Sequence, residues 1–331
     1  MPNQTVRRSI LTLALATLCI PAFAQKTKAP QAAAWPTKPL RLVVGFPGGS
    51  TPDLVARTIA EPLSRALGQP VIVDNRTGAG GNIAADIVAK ATDDHTSGVM
   101  INGNMTIAKL LNPATPFDPL KDLAPISLIG TAPLLLTAPA TMQFRNAQEF
   151  FQAARNAGNK WSYGTPGVGT VGHLGMELLK ARTHIDPVHV PYPGNPQVIN
   201  AMIGGQIQLA LLPPGLAAAQ IRAGKLKAVG VTSAGRSSLV PEFPSLAEAG
   251  IPGFQLEIWT AAAGPASLPK PIVARLSSLI SEIARSPDVR QKLFVQGWQV
   301  AGTSPEGLAN RIKADTALLG GVIATQHIKA E

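Results

Sequence analysis

The chain has 331 residues, 45% of them hydrophobic and 15% charged, with a net charge of +10 and a single cysteine. That length suffices for two domains with cores of their own. Its basic residues are scattered rather than gathered in runs interleaved with aromatics, which argues against nucleic acid as a partner. One cysteine leaves no intramolecular disulfide and no thiolate metal site.

The first 24 residues have the layout of a secretory signal. Arg7 and Arg8 form a basic start, Ile10 to Ile20 is mostly apolar, and Ala22-Phe23-Ala24 is a small-x-small cleavage site. Cleavage is expected after Ala24 and removes Cys19; Leu18 before that cysteine is not the small residue a lipid-attachment signal wants. The 29 basic residues less Arg7 and Arg8 leave 27 against 19 acidic ones, a net of +8. An exported chain without disulfides fits the periplasm and must be held by its core. Residues 25–34 are expected to form a flexible leader.

From Leu40 a rhythm sets in. Leu40 to Val44 is an apolar run of strand length, and Leu54, Val55, Ile59, Leu63 and Leu67 follow at helical spacing until Gly68. Pro62 sits inside that helix and is expected to kink it or start it anew. Val71–Val73 and Val99–Ile101 are further strands, with a helix around Ile83, Ile87 and Val88 between them. The pattern restarts after Pro139: a helix over 144–155, a strand at Trp161–Tyr163, a helix over 174–181, a strand at Val188–Val190, a helix over 198–203, a strand at Leu209–Leu212, a short helix over 217–222 and a strand over 227–231. Unbroken apolar strands alternating with helices indicate α/β units with parallel strands covered on both faces. Beyond a strand over 254–262, the chain end is helical over 271–282, 288–295 and 305–317. These helices lack strands of their own and are expected to return to the first sheet. Two doubly wound lobes result: one discontinuous, residues 35–133 plus 254–331, the other residues 134–253. The two crossovers near Pro133 and Gly253 make a hinge.

Two glycine turns stand between a strand and a helix. The first is Gly45-Phe46-Pro47-Gly48-Gly49-Ser50-Thr51-Pro52-Asp53; the second is Tyr163-Gly164-Thr165-Pro166-Gly167-Val168-Gly169-Thr170. A helix start offers unpaired N–H groups and a partial positive charge, and glycine lets a ligand approach the backbone. Facing each other across a cleft, the two would hold a small anion. Thr51 is expected to cap the first helix, with Pro52 as its first residue and Asp53 favouring the dipole. The cluster Gly78-Ala79-Gly80-Gly81 opens the second helix, where close backbone packing is the expected role. Gly167-Val168-Gly169-Thr170-Val171-Gly172 is a literal G-x-G-x-x-G, but no acid closes the next strand, so a dinucleotide is discounted and no cofactor is expected. His173 falls in the first turn of its helix, facing the cleft or satisfied structurally. Tyr192 and Gly194 follow a strand on the ligand side of the sheet, as donor or as plain turn. No histidines pair at metal-ligand spacing, no G-x-S-x-G elbow occurs, and no carboxylate pair stands out.

Several of these stretches, in order, resemble the Bug family, the solute receptors of tripartite tricarboxylate transporters. They are Trp35-Pro36-Thr37-Lys38-Pro39-Leu40, Asp74-Asn75-Arg76-Thr77-Gly78-Ala79-Gly80-Gly81, the second turn through His173-Leu174, Val190-Pro191-Tyr192-Pro193-Gly194, Gly204-Gly205-Gln206 and Phe243-Pro244-Ser245-Leu246-Ala247-Glu248-Ala249-Gly250. The resemblance runs from Trp35 to the C-terminus. It implies a periplasmic Venus-flytrap receptor holding a carboxylate through backbone N–H groups and waters, without an arginine clamp. Phe46, Gly48, Gly49 and Ser50 would serve from one lobe; Thr165, Gly167, Gly169 and Thr170 from the other. Thr51, His173, Tyr192 and Gly194 complete the candidate set, and Asp53 would select ligands with an amide or amine. The family's first turn carries a third glycine where Ser50 stands here; Pro52 removes one N–H donor; Gln208 stands where an acid is expected. The expected activity is capture of a small organic carboxylate or amino acid by a monomer, read by a membrane transporter or sensor. A secreted α/β hydrolase or dehydrogenase is the competing class.

Overall fold

The first strand, β1 (Leu40–Val44), is buried at all but one position, as a central parallel strand must be. It pairs in parallel with β2 (Val71–Asn75) on one side and β3 (Thr96–Ile101) on the other. These and the elements below come from a computed structural model that describes residues 35–326, 328 and 329; the expected signal, leader, Cys19 and cleavage point lie outside the described residues. The connections are α1 (Thr51–Leu67) and α2 (Asn82–Ala89). Gly68 ends α1 at φ 68°, a left-handed stop. The expected break at Pro62 does not occur: α1 is one helix. Its face of Val55, Ile59 and Leu63 is fully buried, and that packing holds the turn together across the one backbone bond proline cannot make.

After β3 come three short helices, α3 (Asn102–Thr106), α4 (Ala108–Leu111) and α5 (Pro119–Asp122), then the long strand β4 (Leu123–Pro133). The second half runs β5 (Leu135–Pro139), α6 (Ala147–Ala157), β6 (Ser162–Thr165), α7 (Val171–Thr183), β7 (Val188–Pro191), α8 (Asn195–Ile203), β8 (Ala210–Leu212), α9 (Pro214–Arg222) and β9 (Leu226–Val231). The chain then returns through β10 (Glu257–Pro265), α10 (Lys270–Arg285), α11 (Pro287–Val295), β11 (Gln299–Val300) and α12 (Pro305–Thr325).

The first sheet has the order β11-β4-β10-β3-β1-β2. Its β10 runs antiparallel between β3 and β4. In the second half β8-β5-β9 is antiparallel and β6-β7 parallel, and a Tyr163–Leu209 bridge links the two pieces. The sheets are therefore mixed: antiparallel strands accompany the expected parallel ones. The chain leaves the first sheet at Pro133, enters the second at Leu135, and comes back between Leu256 and Glu257. Helices α10 and α12 pack on β4, and α10 also on α1, so the C-terminal helices do cover the first sheet. Separate apolar clusters fill the two halves, one around Leu42, Ile59 and Leu276, another around Leu136, Phe150 and Leu174.

Candidate ligand cavity

Each parallel strand ends in a turn that starts a helix, so the ends of β1, β3, β6 and β7 bring four helix starts to one side of their sheets. The first turn begins α1 at Thr51, and Ser50, not Thr51, is the cap residue. The Ser50 side chain makes no capping bond; its buried Oγ has no partner within the protein. Capping falls to Asp53, whose Oδ2 accepts from the Gly49 N–H at 2.9 Å. Asn75 Nδ2 donates to Asp53 Oδ1 at 2.9 Å and to the Phe46 carbonyl at 2.8 Å, while Arg57 Nε bonds both carboxylate oxygens. Burial alone would raise the Asp53 pKa; the bonds from Arg57, Asn75 and Gly49 outweigh it and hold it below its ordinary value. Asp53 makes its hydrogen bonds with Gly49, Arg57 and Asn75, within and beside its own turn.

The second turn begins α7 at Val171 with Thr170 as cap. Thr170 Oγ1 donates to the Gly167 carbonyl at 2.8 Å. Thr165 is buried beneath the loop: its Oγ1 lies 3.3 Å from Gly167 N and 2.7 Å from His189 Nε2. His173 is also turned inward. Its ring stacks on His189 with centroids 4.3 Å apart, and its Nδ1 accepts from the Gly169 N–H at 3.4 Å. The Tyr163 ring stacks on the other face of His189 at 4.8 Å. Burial first, then His173 and Lys180, push the His189 pKa down to about 3. Tyr192 packs into the second half's core beside Gly164, and its N–H bonds the Thr165 carbonyl.

The second turn packs against Gly80 and Gly103 of the first half, and the first turn against Gly194 of the second. A methyl group on Gly80 would sit 2.5 Å from the Val168 carbonyl oxygen, one on Gly103 2.5 Å from the Gly169 oxygen, and one on Gly194 2.9 Å from the Pro47 ring. Backbone meets backbone here, with no room for a side chain. Between the two halves lies a partly open cavity of about 50 Å³. Phe46, Ser50 and Thr51 line it from the first turn, Thr170 from the second. The other candidate residues, Gly48, Gly49, Asp53, Thr165, Gly167, Gly169, His173, Tyr192 and Gly194, do not reach its wall; they shape the loops or their contact. Gly48 and Gly49 are exposed, and the Gly49 N–H is already taken.

Among the lining residues that sequence reasoning missed, three hold a buried polar atom without a protein partner. Asn195 at the start of α8 is buried; its Nδ2 approaches Thr51 Oγ1 at 3.3 Å across the cleft and its Oδ1 has no protein partner. Asn102 at the start of α3 donates from Nδ2 to the Glu257 carbonyl at 3.1 Å, leaving Oδ1 unpartnered. Trp298 buries an unpartnered Nε1. With Ser50 these make four buried polar residues around one cavity, each with an atom no protein group satisfies. Such atoms cost energy unless something in the cavity pairs with them. Asn195 had a sequence signal in its strand-to-helix turn; Trp298 and Asn102 had none. A larger open groove of about 1080 Å³ runs beside α6, but its arginines are already paired, Arg145 with Glu149, Arg155 with the Thr183 carbonyl and Arg182 with the Pro252 carbonyl.

Over residues 55–328 the chain matches the tripartite tricarboxylate transporter family receptor. It is 35% identical over 319 residues to the UPF0065 protein in the tcbD-tcbE intergenic region of Pseudomonas sp. (strain P51), covering 96% of this chain and 94% of that protein. Its fold is similar to R. palustris Rpa4515 with adipate, at TM-score 0.86 and 31% identity over 89% of this chain and 99% of that one. It is equally similar to the periplasmic binding protein BugD, at TM-score 0.85 and 28% identity over 90% and 100% of the two chains.

Proposed function

We propose, from the fact that this chain belongs to the tripartite tricarboxylate transporter family of receptors, that it captures a small organic carboxylate in the cavity between the turns that open α1 and α7. One observation carries the reading. The starts of two long helices line one cavity, together with Ser50, Asn102, Asn195 and Trp298, each of which holds a buried polar atom without a protein partner. First-turn N–H groups have no intrahelical acceptor and carry the positive end of the helix dipole, so an anion is the natural occupant. The chain is a solute-binding receptor rather than an enzyme.

Two lobes, residues 35–133 plus 254–331 and residues 134–253, close by hinging at the crossovers, and the ligand favours closure by touching both. Phe46, Ser50, Thr51 and Thr170 contact it. Gly48, Gly49, Asp53, Thr165, Gly167, Gly169 and His173 build the turns that present the N–H groups, and Gly194 permits closure. The receptor works as a monomer in the periplasm, where BugD works, after cleavage behind Ala24, and hands its ligand to a membrane transporter. Mass spectrometry of small molecules retained through purification, followed by a thermal-shift panel of mono-, di- and tricarboxylates and amino acids, tests the reading. A true ligand at a hundredfold excess over its Kd stabilises by about 2.7 kcal/mol. A panel in which no carboxylate raises the melting temperature overturns it.

A further inference from the structure

We infer that the groove beside α6 docks an extended, acidic segment of a partner protein, laid along β9 as an added strand. The cavity between the halves takes no part in this, and its lining contains no Lys, Arg, His, Asp or Glu. The groove, by contrast, is lined by Arg145, Arg155 and Arg182 against one acid, Glu248. Arg145 is matched by Glu149, and Glu248 by Arg236. Arg155 and Arg182 have no such match among the described residues. Arg155 donates to the Thr183 carbonyl and to Gln152, and Arg182 to the Pro252 carbonyl. A carbonyl or an amide oxygen occupies one N–H of a guanidinium; most of its donors and all of its charge remain available. Lys227 adds a third cation of this kind beside Phe144. Its Nζ donates to the Met142 carbonyl and lies 5.1 Å from the Phe144 ring centre.

The backbone supplies the second half of the argument. The groove reaches β9 at Ala228 and Val229. This strand is the last of its sheet, with β5 on one side only. On the other side Val231 donates to the Pro244 carbonyl and accepts from the Leu246 N–H. That short pairing ends where the groove begins. Among the described residues, Leu226 to Gly230 have no backbone partner outside β5. An open strand edge is a template for another strand, and extended peptides add to such edges through main-chain bonds. Successive side chains of the added strand point to opposite sides, and the groove offers both kinds of surface: apolar Phe144, Phe151 and Ile251, and the unmatched arginines. The protein's own N-terminal stretch does not suit the place, because residues 1–34 contain no Asp or Glu.

The test is fluorescence polarisation with the mature chain and a short labelled peptide of alternating glutamate and valine. Two control peptides replace every glutamate by lysine, or carry methyl groups on alternate backbone nitrogens and so lose the donors a strand needs. The acidic peptide should bind, and each control should bind about fivefold more weakly or less. Arg155→Gln combined with Arg182→Gln should weaken the acidic peptide by about fivefold or more, the worth of two exposed ion pairs. Reversing both charges, Arg155→Glu with Arg182→Glu, should turn the preference over to the lysine peptide. A variant that had merely loosened the loops at Thr183 and Pro252 would lose both peptides alike, and that result overturns the inference. So does equal binding of the acidic and methylated peptides, or no binding of the acidic peptide. Capture of anionic lipid vesicles without the peptide, or self-association of the chain through this edge, also overturns it. Each of these failures leaves the carboxylate-receptor reading standing, because the groove and the cavity share no lining residue.

Discussion

Asp53 decides whether the first turn exists. Its buried carboxylate ties a residue outside the helix, Gly49, to Arg57 one turn inside and to Asn75 on the next strand. Removing it leaves those donors facing a hole. We expect Asp53→Ala to cost about 1–3 kcal/mol in denaturant unfolding, the usual price of stranding buried polar partners, and to weaken ligand binding as the turn loosens. The carboxyl sits below its ordinary value of 3.8 in the folded protein. Its contribution is therefore complete above that value and is lost as pH falls through the lowered one. Acid unfolding of the variant should start from a lower plateau and show a shallower slope below pH 3.8. Sequence placed the aspartate in the turn but not its partners: spacing fixes where Asp53 lies along the helix, whereas Asn75 arrives from another strand.

The stack of β6, β7 and α7 holds the second turn from behind. Tyr163, His189 and His173 lie face to face, with Thr165 hydrogen-bonded to the middle ring and Gly169 to the last. The charged groups of this layer are Lys180, Glu177 and Asp186; Tyr163 donates a short bond to Glu177, and Lys180 pairs with both acids. His189 is neutral in this setting, with its pKa lowered from 6.5 to about 3. A lowered histidine stabilises the fold fully above its unfolded value, and that stability drains away as pH drops from 6.5 toward 3. Thermal unfolding followed over that range should show a steady decline, and His189→Gln, which can still meet Thr165, should flatten it. At this scale much was legible. Strand β1 announces itself because a buried parallel strand is uniformly apolar, helices α1 and α2 because they are periodic, and β2 and β3 through their apolar parts, Val71–Val73 and Val99–Ile101. Strands β4 and β5 do not. Pro125, Ser127, Gly130 and Thr131 interrupt the apolar run of β4, whose partner β10 lies far along the chain. Pairing, not local pattern, makes it a strand.

At the whole-molecule scale, several contacts between the two halves bring backbone against backbone. Gly103 illustrates this best. It lies within helix α3, where alanine would ordinarily be preferred over glycine. Yet the nearest atoms to a methyl group there, the Gly169 carbonyl and the Thr170 Cα, belong to the opposite turn. Gly103→Ala should therefore lower the melting temperature, because a methyl group 2.5 Å from a backbone carbonyl forces the two halves apart, and should weaken stabilisation by ligand. X-ray scattering should show the variant with a larger radius of gyration than the parent under saturating ligand. An equally compact variant would mean that the turns adjust without opening. The cavity itself was half legible. Its two glycine turns were visible in the chain, because their chemistry is local; Trp298 and Asn102 were not, because only the closed fold brings them beside Ser50 and Asn195.

A wall without ionic groups has one more consequence. Dissolved ions weaken attraction between charges that water can reach, and they act little on a site from which water is shut out. Here an anion would give up its hydration for fixed backbone dipoles and a few amide and indole atoms, with no lysine or arginine competing for chloride. Its retention would then depend only weakly on ionic strength.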